Sequence, residues 1–201
     1  MNSDEKLRTS KRFSEIYQSL KPESDRGCVL VVGSMVERFL EDHISRRLLP
    51  KLSPDDELMG RSGNKPIAVF SAKINLAYRL GLITAAERTI YHQLRELRNA
   101  CAHHIDRQEF AANHFKDRTR NIIEQSANVW EALREEIAPA LFPNDPPTTI
   151  EEFIDKVGWR VAFETFFALV VAHKEASVGR VARLSALHES ITTSSTSHGS
   201  A

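Results

Sequence analysis

The chain has 201 residues, with 27 basic and 27 acidic side chains and a formal net charge of zero. This length predicts one domain, or one domain with an added helical lobe. Proteins that bind a duplex on their own usually present a basic face, so the balanced charge argues against direct DNA binding. The two cysteines, Cys28 and Cys101, lie far apart in apolar surroundings and predict buried free thiols rather than a disulfide framework.

The sequence offers no export signal or membrane span. Residues 1–17 lack the apolar core of a signal peptide. The longest strongly apolar run, residues 161–173, is interrupted by Glu164 and is too short and mixed to cross a bilayer. We therefore expect a cytoplasmic protein with no membrane partner.

Helical periodicity begins at the N-terminus. Phe13, Ile16, Tyr17 and Leu20 form one apolar stripe and predict a helix over residues 4–20, which Pro22 ends. A second helix is predicted over residues 25–49. Its apolar stripe is Val29, Val32, Val36, Phe39, Leu40 and Ile44.

The middle of the chain combines a long loop with two predicted helices. Residues 50–66 are rich in Pro, Gly, Ser and Asp and predict a surface loop. A third helix over residues 67–82 has Gly81 where a C-terminal cap belongs. Thr84 and Glu87 have the spacing of a capping box, which predicts a fourth helix running through Arg98. Its buried side is marked by Ile90, Leu94 and Leu97.

Two more helices are predicted toward the C-terminus. The fifth covers residues 117–137, and a proline-rich breaker follows it. The last begins at the capping pair Thr149 and Glu152 and reaches residue 173, or extends as far as residue 187. Its phenylalanines at 163, 166 and 167 have helical spacing and predict either core or a packing surface for a dimer. The polar tail from residue 192 predicts disorder.

We therefore predict an all-α fold and divide the chain into four parts. These are an N-terminal helix (1–24), a helical bundle (25–140), a C-terminal helical extension (149–190) and a disordered tail (191–201).

One short motif contains several side chains that are capable of catalysis, close together in the sequence. It comprises Arg98, Asn99 and His103, with His104 as a neighbouring candidate for binding. Arginine presents a charged fork suited to phosphate, and histidine serves as acid or base near neutral pH. Together they can cleave an RNA backbone without a metal, with Asn99 as support. Positions five apart on a straight helix lie about 140° apart, so Arg98 and His103 converge only if the helix frays or two chains pool their residues.

The motif resembles that of a known group of helical domains. Arg98, Asn99 and His103 match the Arg-x4-6-His pattern of HEPN domains, in which a polar residue often follows the arginine. Many HEPN proteins are metal-independent ribonucleases whose cleft forms across a dimer. This resemblance implies a HEPN-like helical bundle, catalysis by Arg98 and His103, and RNA as a partner.

A second resemblance lies just upstream. The segment Phe70-Ser-Ala-Lys-Ile-Asn-Leu-Ala-Tyr-Arg-Leu-Gly-Leu-Ile83, followed by Leu97-Arg-Asn-Ala-Cys-Ala-His103, is similar to the mannitol repressor family, whose helical domain is HEPN-like. The likeness covers about residues 25–135. It implies a non-enzymatic regulator of transcription that acts through a protein partner or a second copy of itself, because the sequence has no helix-turn-helix with a basic recognition helix.

The same residues also have a purely structural interpretation. Arg98 and Asn99 can bind backbone carbonyls or an acidic neighbour near a helix end, and His103 and His104 can cap that end. A metal cluster of Cys101, His103, His104 and Asp106 would lack the second ligand pair that structural zinc sites use. We predict neither a metal nor another cofactor.

Overall fold

The computed structural model of the chain describes residues 3–59, 65–103 and 113–187. Within these ranges the regular structure is helical and contains no strand, so the predicted all-α fold is confirmed. In chain order the α-helices are α1 (Ser3–Leu20), α2 (Asp25–Arg47), α3 (Phe70–Arg79), α4 (Ala85–His103), α5 (Asn113–Glu124), α6 (Ala127–Ala132), α7 (Ala138–Leu141) and α8 (Ile150–Ser177).

Helices α2 and α8 organise the core. Helix α2 packs against α3, α4 and α8, and α8 also packs against α1, α5 and α6. The predicted apolar stripe of α2 is buried at every position. In α8 every residue from 162 to 172 is buried, as expected for a helix that other helices surround. The predicted N-terminal helix and C-terminal helix therefore contribute to the same core as the helices between them.

The three phenylalanines of α8 belong to this core. Phe163, Phe166 and Phe167 are each about 1% exposed. The rings of Phe163 and Phe167 have centroids 4.7 Å apart, and those of Phe166 and Phe167 are 5.1 Å apart. Of the two predictions for these residues, the core position is confirmed.

Capping residues fix where the helices begin. The hydroxyl of Ser24 accepts from the backbone N–H of Gly27 at 3.0 Å at the start of α2. At the start of α4 the backbone N–H of Thr84 donates to the Glu87 carboxylate at 2.8 Å, and the N–H of Glu87 donates to the Thr84 hydroxyl at 3.1 Å. This is the predicted capping box.

A turn at Gly81 separates α3 from α4. Gly81 has a φ of +69°, a left-handed conformation that costs glycine little. The N–H of Leu82 donates to the Ala77 carbonyl at 2.9 Å, which completes the C-terminal cap. The cap is as predicted, but α3 is shorter than residues 67–82, since it begins at Phe70 and ends at Arg79.

The prediction of a single fifth helix over residues 117–137 was wrong. Helix α5 ends at Glu124, because Ser126 leaves helical geometry and its buried hydroxyl donates to the Ile122 carbonyl at 3.1 Å. A π-helical turn, Leu133–Ile137, then precedes α7. Pro139 in the first turn of α7 has no N–H to continue the regular ladder.

Helix α8 does not extend to residue 187. It ends at Ser177, and a 3-10 turn over Val178–Arg180 leads into an extended segment. That segment lies against the end of α2, where the N–H of Leu184 donates to the Arg47 carbonyl at 2.8 Å. Helix α8 also bends at Gly158, whose φ is +79°. The loop of residues 50–59 contains no helix, and the predicted disordered tail lies outside the described residues.

A half-buried arginine joins α8 to the α1–α2 connection. Arg160 contacts the carboxylates of Asp25 at 2.6 Å and Glu164 at 2.5 Å. It also donates to the carbonyls of Leu20 at 3.0 Å and Glu23 at 2.8 Å. Since Glu164 is only 3% exposed, the guanidinium compensates a carboxylate that burial would otherwise destabilise.

Candidate functional site

The predicted motif lies at the C-terminal end of α4, which remains helical through His103. Its two proposed catalytic side chains are therefore five positions apart on one continuous helix, about 140° apart around its axis. Among the described residues, no hydrogen bond or ion pair joins Arg98 to His103. The structure thus does not bring this pair together within one chain.

Arg98 is directed toward α2 and pairs with a carboxylate. Its Nη1 donates to Glu37 Oε2 at 2.9 Å, with the two side chains 30% and 19% exposed. The guanidinium carbon also lies 5.6 Å from the centre of the Phe70 ring, a cation–π contact.

A glycine in α2 gives the arginine side chain its space. A Cβ placed on Gly33 would lie 2.7 Å from Cδ and 3.3 Å from Cγ of Arg98. The aliphatic stem of Arg98 therefore crosses α2 where that helix has no side chain. This close approach fixes the direction in which the guanidinium points.

Glu37 belongs to a larger ion-pair network that sequence reasoning missed. Lys73 Nζ lies 2.7 Å from Glu37 Oε1 and 2.5 Å from Glu41 Oε1, and the Lys73 side chain is 4% exposed. Burial lowers the pKa of Lys73, but the hydrogen bonds to both carboxylates outweigh this effect and raise the pKa overall. The network, comprising Arg98, Glu37, Lys73 and Glu41, joins α2, α3 and α4.

Only a weak sequence signal pointed to this network. Glu37 and Glu41 lie one turn apart on α2, and Lys73 interrupts an otherwise apolar face of α3. A lysine on a buried face predicts an acidic partner, since buried charges are almost always paired. The identity of that partner depends on how α2 and α3 pack.

Asn99 and His103 have a different environment from Arg98. Both are exposed and lie one turn apart on the side of α4 that faces away from the core. They can contact a ligand or partner without rearrangement of the helix. His104, the predicted binding residue, lies outside the described residues. In the described part of the chain, no three His, Cys, Asp or Glu side chains are grouped as metal ligands would be.

An apolar groove lies at the far end of α2, away from the motif. It has a volume of about 900 Å³. Its leucines include Leu52 and Leu187, which are 98% and 96% exposed, together with Leu49, Leu58 and Leu184. Exposed apolar surface of this kind is typical of contact with another protein. Sequence reasoning missed it because the groove forms between the 50–59 loop and the extended C-terminal segment.

The described helices also include none with the length and apolarity that a bilayer crossing requires. Comparison of the chain with protein-family models, with curated proteins and with solved structures found no match.

Proposed function

We propose that this protein is a non-enzymatic regulator of transcription that acts by binding another protein. Its sequence likeness to the mannitol repressor family, carried by residues 70–83 and 97–103, supports this function. The observation that weighs most is the engagement of Arg98 with Glu37 and Phe70. The one permanent cation of the motif is used to hold α4 against α2 and α3.

The charge environment of Arg98 also favours this function over RNA cleavage. A catalytic arginine must present its charge to the pentavalent phosphate of the transition state. The Glu37 carboxylate, 2.9 Å away, already neutralises that charge. Catalysis would require the ion pair to break and the side chain to rotate toward His103.

Action through a protein partner fits better than direct DNA binding. The chain has zero net charge, and its sequence lacks a helix-turn-helix with a basic recognition helix. Self-association is part of the proposal, and the exposed leucines of the apolar groove supply suitable surface. Sedimentation of the full chain should then report a dimer at micromolar concentration.

The experiment is transcript profiling in the organism that encodes the chain. A strain lacking the protein should show changed expression of a defined gene set, and the wild-type gene should restore it. The His103→Ala variant should restore it equally, because a contact-based regulator needs no acid–base residue. Unchanged transcripts in the deletion strain would contradict the proposal, as would a folded His103→Ala protein that fails to complement.

A metal-independent HEPN-type ribonuclease is the second candidate. The exposure of Asn99 and His103 favours it, because both can reach a bound RNA. It requires Arg98 from the same chain or from a second copy to approach His103. An assay of RNA cleavage distinguishes the two functions.

A further inference from the structure

The outward side of α4 carries a row of basic and polar side chains. Arg88, His92, Arg95 and Asn99 follow helical spacing on the side opposite the buried positions of this helix. We call these four residues the basic face of α4.

The basic face differs in charge from the rest of this neutral chain. Between residues 70 and 103 the only acidic residues are Glu87 and Glu96. Glu87 pairs with Lys174 at 2.5 Å, and Glu96 pairs with Arg118 at 3.4 Å. Both carboxylates are thus already engaged by cations from other helices.

Three arginines in this stretch have no acidic partner among the residues that the structure describes. Lys73 and Arg98 are neutralised by the carboxylates of α2. In the described part of the structure, no ion pair involves Arg79, Arg88 or Arg95, and the buried Nε of Arg95 has no hydrogen-bond partner. An unsatisfied guanidinium nitrogen is costly to bury.

Neighbouring groups position Arg88 and His92 rather than neutralise them. Arg88 Nε donates to Asn75 Oδ1 at 3.0 Å, and His92 Nε2 lies 3.2 Å from the same oxygen. The guanidinium carbon of Arg88 is 5.7 Å from the centre of the Tyr78 ring. Burial, followed by the charges of Arg95 and Arg88, lowers the pKa of His92, which is consistent with a positive potential at this face.

We propose that the basic face of α4 is the docking surface for an acidic segment of a partner protein. The inference is based on charge complementarity. It rests on the proposed function and specifies the chemistry of the partner that the regulator would bind. Arg88 and Arg95 are seven positions apart, so their Cα atoms are separated by about 10 Å along the helix. Carboxylates three residues apart on a segment in the polyproline II conformation lie on one side of it, at nearly the same spacing of about 9 Å.

The number of cations favours a protein segment over a nucleic acid. Affinity for nucleic acid depends on how many phosphates are neutralised, and three arginines on a neutral chain neutralise few. A short acidic segment can instead place one carboxylate against each guanidinium in a bidentate arrangement.

The test is an NMR titration of the isotope-labelled full chain with the peptide acetyl-Glu-Ala-Ala-Glu-Ala-Ala-Glu-amide at low salt. We expect amide shifts confined to α3 and α4, and none with the peptide in which Gln replaces each Glu. The variant Arg88→Gln/Arg95→Gln should bind at least tenfold more weakly. The matched control Arg8→Gln/Lys11→Gln removes the same charge from exposed positions on α1 and should bind like the wild type.

Three results would overturn the inference. These are absence of shifts, equal binding by the Arg88→Gln/Arg95→Gln variant, or tighter binding of a twelve-nucleotide single-stranded RNA at the same face. Complementation distinguishes failure of the proposed docking surface from failure of the proposed regulatory function. If His103→Ala and Arg88→Gln/Arg95→Gln both restore transcription, only the docking surface is wrong. If the deletion leaves transcripts unchanged, the regulatory function is wrong and the titration judges the surface alone.

Discussion

Replacing Arg98 with alanine should destabilise the fold even though the residue lies in the candidate site. The change removes a 2.9 Å ion pair to Glu37 and a cation–π contact with Phe70. A hydrogen bond between charged groups contributes about 1.5–3 kcal/mol when buried, and an exposed ion pair about 0.2–1 kcal/mol. Since the side chains of Arg98 and Glu37 are 30% and 19% exposed, an intermediate value applies.

With the cation–π contact contributing about 0.5–1 kcal/mol, we expect Arg98→Ala to lower the free energy of unfolding by about 2 kcal/mol. In a chain of this size the corresponding fall in Tm is about 4–8 °C. Urea unfolding followed by circular dichroism measures the free energy, and a thermal scan measures Tm. His103→Ala is the matched control, because this exposed residue should change stability by less than about 0.5 kcal/mol.

A double-mutant cycle isolates the Arg98–Glu37 interaction. Combining Arg98→Ala with Glu37→Ala should give a coupling energy of about 1 kcal/mol, since the two residues contact each other. Coupling near zero, or an Arg98→Ala protein as stable as the wild type, would refute a structural role for this arginine.

Four further predictions concern the fold. Arg160→Ala should lower the free energy of unfolding by about 3–5 kcal/mol, because it leaves a buried carboxylate unpaired; urea unfolding measures the loss, and an unchanged midpoint would contradict it. Gly158→Ala should lower the free energy of unfolding by about 1–2 kcal/mol, because a φ of +79° strains a residue with a side chain, although the alanine Cβ would meet no other atom. An unchanged free energy of unfolding would contradict the left-handed conformation at this position.

Burial lowers the pKa of His43. As the pH drops below about 6.5, the unfolded chain therefore binds a proton that the folded chain does not, and the free energy of unfolding should fall. His43→Gln should flatten this pH dependence between pH 7.5 and 5. Burial raises the pKa of Cys28 to about 12 and that of Cys101 to about 11, so iodoacetamide should label neither thiol until the chain unfolds.

Local signals in the sequence predicted much of the helical framework. The capping pair Thr84 and Glu87 fixed the start of α4, and Gly81 marked the end of α3. These signals succeed because the residues that form a cap lie within one turn of each other. The apolar stripe of α2 succeeded for a similar reason, since helical periodicity determines which side chains share a face.

Two interruptions of predicted helices, which the local sequence does not mark clearly, were missed. Ser126 interrupts the predicted fifth helix through a buried hydroxyl, and nothing in its local sequence marks it as a break. Gly158 adopts a left-handed conformation inside α8, although an isolated glycine in a helical pattern is usually tolerated.

The candidate site shows the same division. The spacing of Arg98 and His103 predicted that one chain would not bring them together on a straight helix, and α4 is continuous across both. The partner of Arg98 was not predictable, because Glu37 is 61 residues away and approaches only through packing of α2 on α4. The space for the aliphatic stem of Arg98 depends on Gly33, and the sequence alone does not show that Arg98 crosses α2 at this glycine.

The most direct test of the proposed function is incubation of labelled mixed-sequence RNA with the purified full chain and a chelator. Arg98→Ala and His103→Ala proteins, prepared identically, serve as controls for contaminating nuclease. We predict that the RNA remains intact with all three proteins, because Arg98 is paired with Glu37 and lies far around α4 from His103. Cleavage by the wild type that both substitutions abolish would contradict a contact-based regulator and establish a metal-independent ribonuclease.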